Sequence, residues 1–200
     1  MRVKVCGITS VAQAAACAEA GVDSLGVNLV ESSPRRVDEA VAAAIAREVG
    51  SRVLVVAVVA GKTVAEMRAI RERTGAGCLQ LHGDESTDDV RALLPHAYKA
   101  VRIAGPADVA IAEAMPGEYV MVDAKVPGVL GGSGHTFDWS LVSALGRARK
   151  LVLAGGLTPD NVARAIALAH PWCVDVASGV ESAPGQKDMA LVRAFVAAAR

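Results

Sequence analysis

A cysteine closes the first apolar run of this chain, Val3-Lys4-Val5-Cys6, and the turn Gly7-Ile8-Thr9 follows it. A thiolate is a strong nucleophile and a competent base once its pKa approaches neutrality. Lys4 has the same strand parity as Cys6, so both side chains are expected on one face, where the ammonium would favour the thiolate. A second apolar run, Tyr119-Val120-Met121-Val122-Asp123, ends on a carboxyl. A carboxyl at an apolar strand end can have a raised pKa and serve as a general acid. Two more runs end in small, Gly-rich turns: Leu153-Ala154-Gly155-Gly156-Leu157 and Asp175-Val176-Ala177-Ser178-Gly179-Val180-Glu181. Turns of this kind offer backbone N–H groups to a phosphate, and glycine lets the backbone approach the anion closely. Together these residues point to proton-transfer chemistry on a small phosphorylated molecule.

Each feature also has a plainer reading. Cys6 can be a buried structural cysteine with Lys4 paired to a carboxylate, and Asp123 can cap a loop or pair with Lys125. Arg35, in Glu31-Ser32-Ser33-Pro34-Arg35-Arg36, can clamp a carboxylate bidentately or sit in solvent. His82, between Leu81 and Gly83-Asp84-Glu85, can touch a ligand or be a hydrogen-bonded structural histidine. His96, His135 and His170 show no ligand spacing, and Cys17, Cys78 and Cys173 read as packing residues.

What must position these residues is a repeat. Short β-branched runs at 2–6, 24–29, 53–58, 78–81, 98–103, 119–123, 150–153 and 173–176 read as strands. Longer Ala/Leu/Arg runs at 11–20, 37–49, 64–73, 87–94, 107–114, 140–147, 161–169 and 189–199 read as helices. Thr9 and Ser10 precede the first helix, Asp38 and Glu39 fall in the first turn of the second, and Pro159 starts the seventh. Eight strand–helix units of about 25 residues each fit an α/β fold made of a single (β/α)8 TIM barrel over residues 1–200. An open doubly wound sheet is the alternative. In the barrel, active sites lie at the carboxyl ends of the strands, where Cys6, Asn28, His82, Arg102, Asp123, Gly155, Gly156, Asp175, Ser178 and Gly179 all fall. Barrels often bind phosphate after strands seven and eight, beside a short extra helix that Val180-Glu181 would open. The connection 124–138 carries Gly128, Gly131, Gly132 and Gly134, and reads as a lid or binding loop.

Composition removes other classes. The formal net charge is +0 with no long basic or acidic run, which argues against nucleic-acid or anionic-lipid partners. The longest apolar runs are too short to span a bilayer. The four cysteines form no C-x-x-C pair and no zinc spacing, and the chain runs directly into a strand with no room for a leader. The expectation is a reduced, cytoplasmic protein, acting as a monomer or homodimer. Abundant Ala and Val predict layered β-branched side chains inside the barrel under Ala-rich helices.

In order along the chain, these motifs resemble the phosphoribosylanthranilate isomerase family. The resemblance rests on Lys4-Val5-Cys6-Gly7-Ile8-Thr9, Ser33-Pro34-Arg35, Leu79-Gln80-Leu81-His82-Gly83-Asp84-Glu85 and Asp123-Ala124-Lys125. It continues through Gly131-Gly132-Ser133-Gly134-His135-Thr136-Phe137-Asp138-Trp139, the two Gly-rich turns and Pro184-Gly185-Gln186-Lys187-Asp188. It implies a (β/α)8 barrel that performs an Amadori rearrangement of a phosphoribosyl substrate, with no metal and no organic cofactor. It also implies Asp123 as general acid at the ribose ring oxygen and Cys6 as general base at C2. Arg35 would hold the anthranilate carboxylate, Gly155, Gly156, Ser178 and Gly179 the phosphate, and Asp175 the sugar. Strand two ends in Asn28-Leu29-Val30 and strand three in Val58-Val59-Ala60, and Ala124 and Ala177 stand where the family more often has Thr and Ser. The competing readings are another phosphosugar barrel isomerase, which would tend to use a carboxylate as base, and a silent phosphate-ligand binding domain.

Overall fold

The computed structural model describes residues 1–124 and 137–200, so the expected glycine-rich loop lies almost wholly outside the described residues. Eight parallel strands close on themselves in sequence order. They are β1 (Arg2–Cys6), β2 (Ser24–Asn28), β3 (Leu54–Val59), β4 (Cys78–Leu81), β5 (Ala97–Ile103), β6 (Tyr119–Ala124), β7 (Lys150–Leu153) and β8 (Cys173–Val176). β1 closes the ring by pairing with both β2 and β8, with Lys4 opposite Ser24 on one side and Asp175 on the other. The helices between them are α1 (Val11–Glu19), α2 (Glu39–Val49), α3 (Val64–Thr74), α4 (Thr87–Leu93), α5 (Pro106–Ala114), α6 (Ser143–Ala148), α7 (Val162–Ala169) and α8 (Met189–Ala199). A hairpin of β9 (Glu181–Ala183) and β10 (Gln186–Lys187) sits between β8 and α8.

The caps refine the sequence reading. Ser10 accepts from the Gln13 N–H and starts α1 as expected. Asp38 is the N-cap of α2 rather than part of its first turn, because its carboxylate accepts from the Val41 N–H. Pro159 lies ahead of α7, whose N-cap is Asn161. Residues 139–142 form a 3-10 turn, so α6 starts later than the apolar pattern suggested. Val180 ends a 3-10 turn (Ser178–Val180), and Glu181 opens β9 rather than a helix.

The strands' period of two separates two cores. Outward residues such as Val3, Val5, Leu25, Val27, Leu79 and Leu81 pack against the helices in one large cluster. Inside the barrel, Val56, Tyr98, Ala100, Met121, Val152, Ala154 and Cys173 form a smaller one. The inner layers are therefore not uniformly β-branched. Lys4, Gln80 and Asp175 lie buried among them as a polar layer. Gly26 makes room for that layer, since a Cβ there would come 2.6 Å from Cys6 Sγ and 3.0 Å from Lys4 Nζ.

Candidate active site

A cavity opens at the carboxyl end of the barrel. Its lining includes Cys6, Arg35, His82, Asp123, Gly155, Gly156, Asp175 and Ser178. These come from six strand ends or the loops after them, and Asn28 lines the cavity too, whereas Arg102 turns to Asp84 outside it. Gly179 is also absent from the lining. A Cβ on it would collide with the Leu157 carbonyl oxygen, so it packs the turn after β8 against the turn after β7 instead of facing the cavity.

At the centre stands Lys4, fully enclosed. Its ammonium donates to Asp175 Oδ2 and to Gln80 Oε1, each at 3.0 Å. Burial opposes its charge, but Asp175, with help from Cys6 and Tyr98, holds its pKa well above the usual lysine value. The carboxylate partner foreseen for Lys4 is thus Asp175. Cys6 follows Lys4 with the same parity, and burial adds what strand parity does not show. Burial pushes the Cys6 thiol up, and the opposing pull of Lys4 and Lys187 does not reverse it. Lys4 acts in the expected direction, yet desolvation of the thiolate is the larger effect.

Asp123 ends β6 with its Oδ1 accepting from the Ala124 N–H at 2.8 Å. Burial raises its pKa to about 6, against the pull of that N–H. At pH 7 about a tenth of the molecules therefore carry the protonated acid, far more than an ordinary Asp would. Gly155, with φ +93°, lies beside it. A Cβ there would come 2.6 Å from the Ala124 nitrogen and 3.1 Å from Asp123 Oδ1. The turn after β7 must therefore be glycine for the acid to sit where it does.

His82 lies just beyond β4, held by its backbone N–H to the Val59 carbonyl at 2.8 Å. The turn after it is fixed by Lys99, whose buried ammonium reaches the Leu81 and Gly83 carbonyls at 3.1 and 2.7 Å and Glu85 at 3.1 Å. Its Nδ1 is 2.8 Å from Gln80 Nε2, and its Nε2 is 3.7 Å from Asp123 Oδ2. Burial, with the nearby cations Lys99, Lys4 and Arg102, lowers its pKa to about 4, so the ring is neutral at pH 7.

Arg35 is buried rather than solvated. Its Nε and Nη2 grip Glu181 at 2.7–3.1 Å, and Lys187 meets the same carboxylate at 2.6 Å. These bonds use one edge of the guanidinium and leave the other for a ligand. The β9–β10 hairpin that carries Glu181 and Lys187 is anchored to α1, where Thr9 Oγ1 and Gln13 Nε2 donate to the Gly185 carbonyl at 2.6 and 2.9 Å. The Arg35 stem also lies across Gly7, leaving no room for a side chain there.

Sequence reasoning does not single out Gln80, Glu181 or Lys187 as site residues. Gln80 shares the pleat parity of His82, which is a usable signal. No local signal pairs Glu181 with Arg35, because their meeting depends on the hairpin folding back over the barrel mouth. Among the described residues, no group of three or more His, Cys, Asp or Glu side chains is placed to hold a metal ion.

A closed parallel barrel with a buried thiol, an elevated carboxyl and two glycine turns at one mouth defines an enzyme of the (β/α)8 class. Comparison with known proteins narrows this. A family model described as "PRAI: N-(5'phosphoribosyl)anthranilate (PRA) isomerase" matches residues 3–198. The chain is 44% identical to the N-(5'-phosphoribosyl)anthranilate isomerase of Myxococcus xanthus, over 100% of this chain and 96% of that protein. It superimposes on the phosphoribosyl anthranilate isomerase of Thermus thermophilus with a TM-score of 0.90 at 34% identity, covering 99% of this chain and 98% of that one. A phosphoribosyl anthranilate isomerase solved in complex with reduced 1-(o-carboxyphenylamino)-1-deoxyribulose 5-phosphate gives a TM-score of 0.86 at 30% identity, covering 100% and 98%. The chain belongs to the N-(5'-phosphoribosyl)anthranilate isomerase family.

Proposed function

We propose that this chain catalyses the Amadori rearrangement of N-(5-phosphoribosyl)anthranilate to 1-(2-carboxyphenylamino)-1-deoxyribulose 5-phosphate, a step of tryptophan biosynthesis. The observation that carries this reading is the pairing of Cys6 with Asp123 across one cavity whose rim is the glycine turn at Gly155 and Gly156. Ring opening needs an acid and removal of a carbon-bound proton needs a base, and these two groups are tuned differently.

Asp123 gives its proton to the ribose ring oxygen. The C1–O bond breaks, and the anthranilate nitrogen lone pair forms the C1=N bond of a Schiff base. Cys6, as thiolate, then takes the C2 proton. The C2–H electron pair forms C1=C2, and the C=N pair returns to nitrogen. The resulting enolamine takes a proton at C1 as its C2 hydroxyl gives one up, the O–H pair forming C2=O, and becomes the ketone. Burial favours the Cys6 thiol, while Lys4 and Lys187 favour the ionised form that acts.

The free edge of Arg35 receives the anthranilate carboxylate, its other edge locked by Glu181. Backbone N–H groups of Gly155, Gly156 and Ser178, which line the cavity, hold the phosphate, and Gly179, expected to join them, lets the two turns approach closely enough to do so. Asp175 Oδ1 and His82 Nε2, both buried and without a hydrogen-bond partner among the described residues, meet sugar oxygens. The enzyme works as one barrel domain in the cytoplasm, where the free thiols Cys6, Cys17, Cys78 and Cys173 stay reduced.

The test is an assay on freshly made phosphoribosylanthranilate, following loss of its fluorescence, beside Cys6→Ala and Asp123→Asn. Turnover by the wild type that collapses in both variants supports the reaction and both roles. Turnover that survives in Cys6→Ala moves the base elsewhere. No wild-type turnover with binding retained replaces the isomerase by a binding protein.

A further inference from the structure

His82 Nε2 is a buried polar atom, unpartnered among the described residues, on a side chain that lines the cavity. Its protonation follows from a chain of contacts that begins at Lys4. An ammonium has three donors and no acceptor, so the Gln80 atom it meets at 3.0 Å must be the amide oxygen. The Tyr98 hydroxyl donates to the same oxygen at 3.0 Å, and the Tyr98 pKa is driven well up by burial, so it keeps its proton. The amide nitrogen of Gln80 therefore faces His82 Nδ1, at 2.8 Å. An NH2 group only donates, so Nδ1 must be bare and the single ring proton must sit on Nε2.

We infer that Gln80, oriented by Lys4 and Tyr98, is a positioning residue that fixes His82 in its Nε2–H tautomer, so the cavity always meets this ring as a hydrogen-bond donor. The same geometry opposes an imidazolium, whose Nδ1–H would point at another donor. The groups facing the ring agree. Lys99, Lys4 and Arg102 are cations around it, and Asp123, 3.7 Å away, is too far for a good hydrogen bond. Lys4 also occupies Asp175 Oδ2, leaving Oδ1 as an acceptor. One buried cation thereby sets a donor at one wall and an acceptor at another. The inference rests on the reading above for its substrate: the atom that meets His82 is an oxygen offering a lone pair, a sugar oxygen beside the acid Asp123.

The experiment is long-range 15N–1H correlation spectroscopy on protein labelled at histidine nitrogens, with the His82 signals assigned by their loss in His82→Gln. In the wild type, Nε2 is expected to carry the proton and Nδ1 to be bare between about pH 5 and pH 8. In Gln80→Leu the lock is gone, both tautomers appear, and kcat/KM falls about tenfold, the scale of one misdirected hydrogen bond. In Gln80→Glu the introduced carboxylate draws the proton to Nδ1, the cavity meets a bare Nε2, and kcat/KM falls further. A wild-type proton on Nδ1 overturns the inference, and this needs no variant to fold. So does loss of activity in both variants with the Nε2–H tautomer unchanged. If the tautomer behaves as stated but the wild type does not turn over phosphoribosylanthranilate, the proposed reaction fails and the assignment of Gln80 stands.

Discussion

At the amino end of the barrel the aromatic and basic side chains are matched to one another. Trp172 lies edge-on to Tyr119 with ring centroids 5.0 Å apart, the Arg2 guanidinium is 4.7 Å from the Trp172 ring, and Lys150 lies 5.0 Å from the Tyr119 ring. At the carboxyl end, the same strands present a thiol, a protonatable carboxyl and two buried polar atoms left without partners among the described residues. Strand pleat and twist are shared, so the backbone does not explain the difference. What differs is whether the polar and charged groups are satisfied from within. One end gains stability from these pairings. The other holds desolvated groups whose pKa values have moved and whose partners arrive with a ligand. The layer of Lys4, Gln80 and Asp175 divides the two.

That contrast can be broken most sharply at the carboxyl end. Cys6→Ala and Asp123→Asn should each lower kcat by about 10² to 10⁴ in steady-state assays, without either variant losing melting temperature. The pH profile of kcat/KM sharpens the point. Below pH 6 Asp123 is protonated, so activity should rise about tenfold per pH unit with the thiolate fraction of Cys6. Above about 6 the loss of the Asp123 proton offsets the gain in thiolate, and the profile should level until Cys6 itself titrates.

The dividing layer should be the most fragile part of the fold. Lys4→Met leaves Asp175 as a buried charge without its cation, and urea unfolding should show a loss of about 3–5 kcal/mol. Asp123 should yield a smaller effect with an opposite lesson. Its pKa is raised from 3.8 to about 6 on folding, so the native state binds the extra proton in that window. Stability should therefore fall as pH rises from 4 to 6, by about 3 kcal/mol, and Asp123→Asn should abolish that slope. An active-site substitution that stabilises the protein at neutral pH is the signature of a group held there for chemistry. At the amino end, Trp172→Ala should remove about 2 kcal/mol of stability, seen as a lower urea midpoint, and leave kcat/KM unchanged. A loss of activity there would erase the division of labour.

Much of this was legible in the residues alone. Alternation by two in Val3-Lys4-Val5-Cys6 and the recurring strand–helix unit were enough to place all eight strands, because strand period and helix period are local properties. Strand ordinals then placed Cys6, Asp123 and the glycine turns at one mouth. The sign of the Cys6 shift was not legible, since it depends on how deep the sulfur sits below the mouth. The partner of Lys4 was not legible either, because it depends on how the first and last strands line up. Glu181 read as the opening of a helix, and only the hairpin at Gly185 turned it onto Arg35.

Lys4 precedes Asp175 by 171 positions along the chain. A growing chain therefore makes its thiol and its central cation long before the carboxylate that neutralises them. Until β8 emerges, β1 and β7 are open sheet edges and Lys4 cannot be buried without its counter-ion. Assembly of the site thus waits for β8. A chain cut short before β8 carries the reactive sulfur but neither the field around it nor the turn that completes the cavity, which keeps unfinished barrels from acting on a labile sugar phosphate.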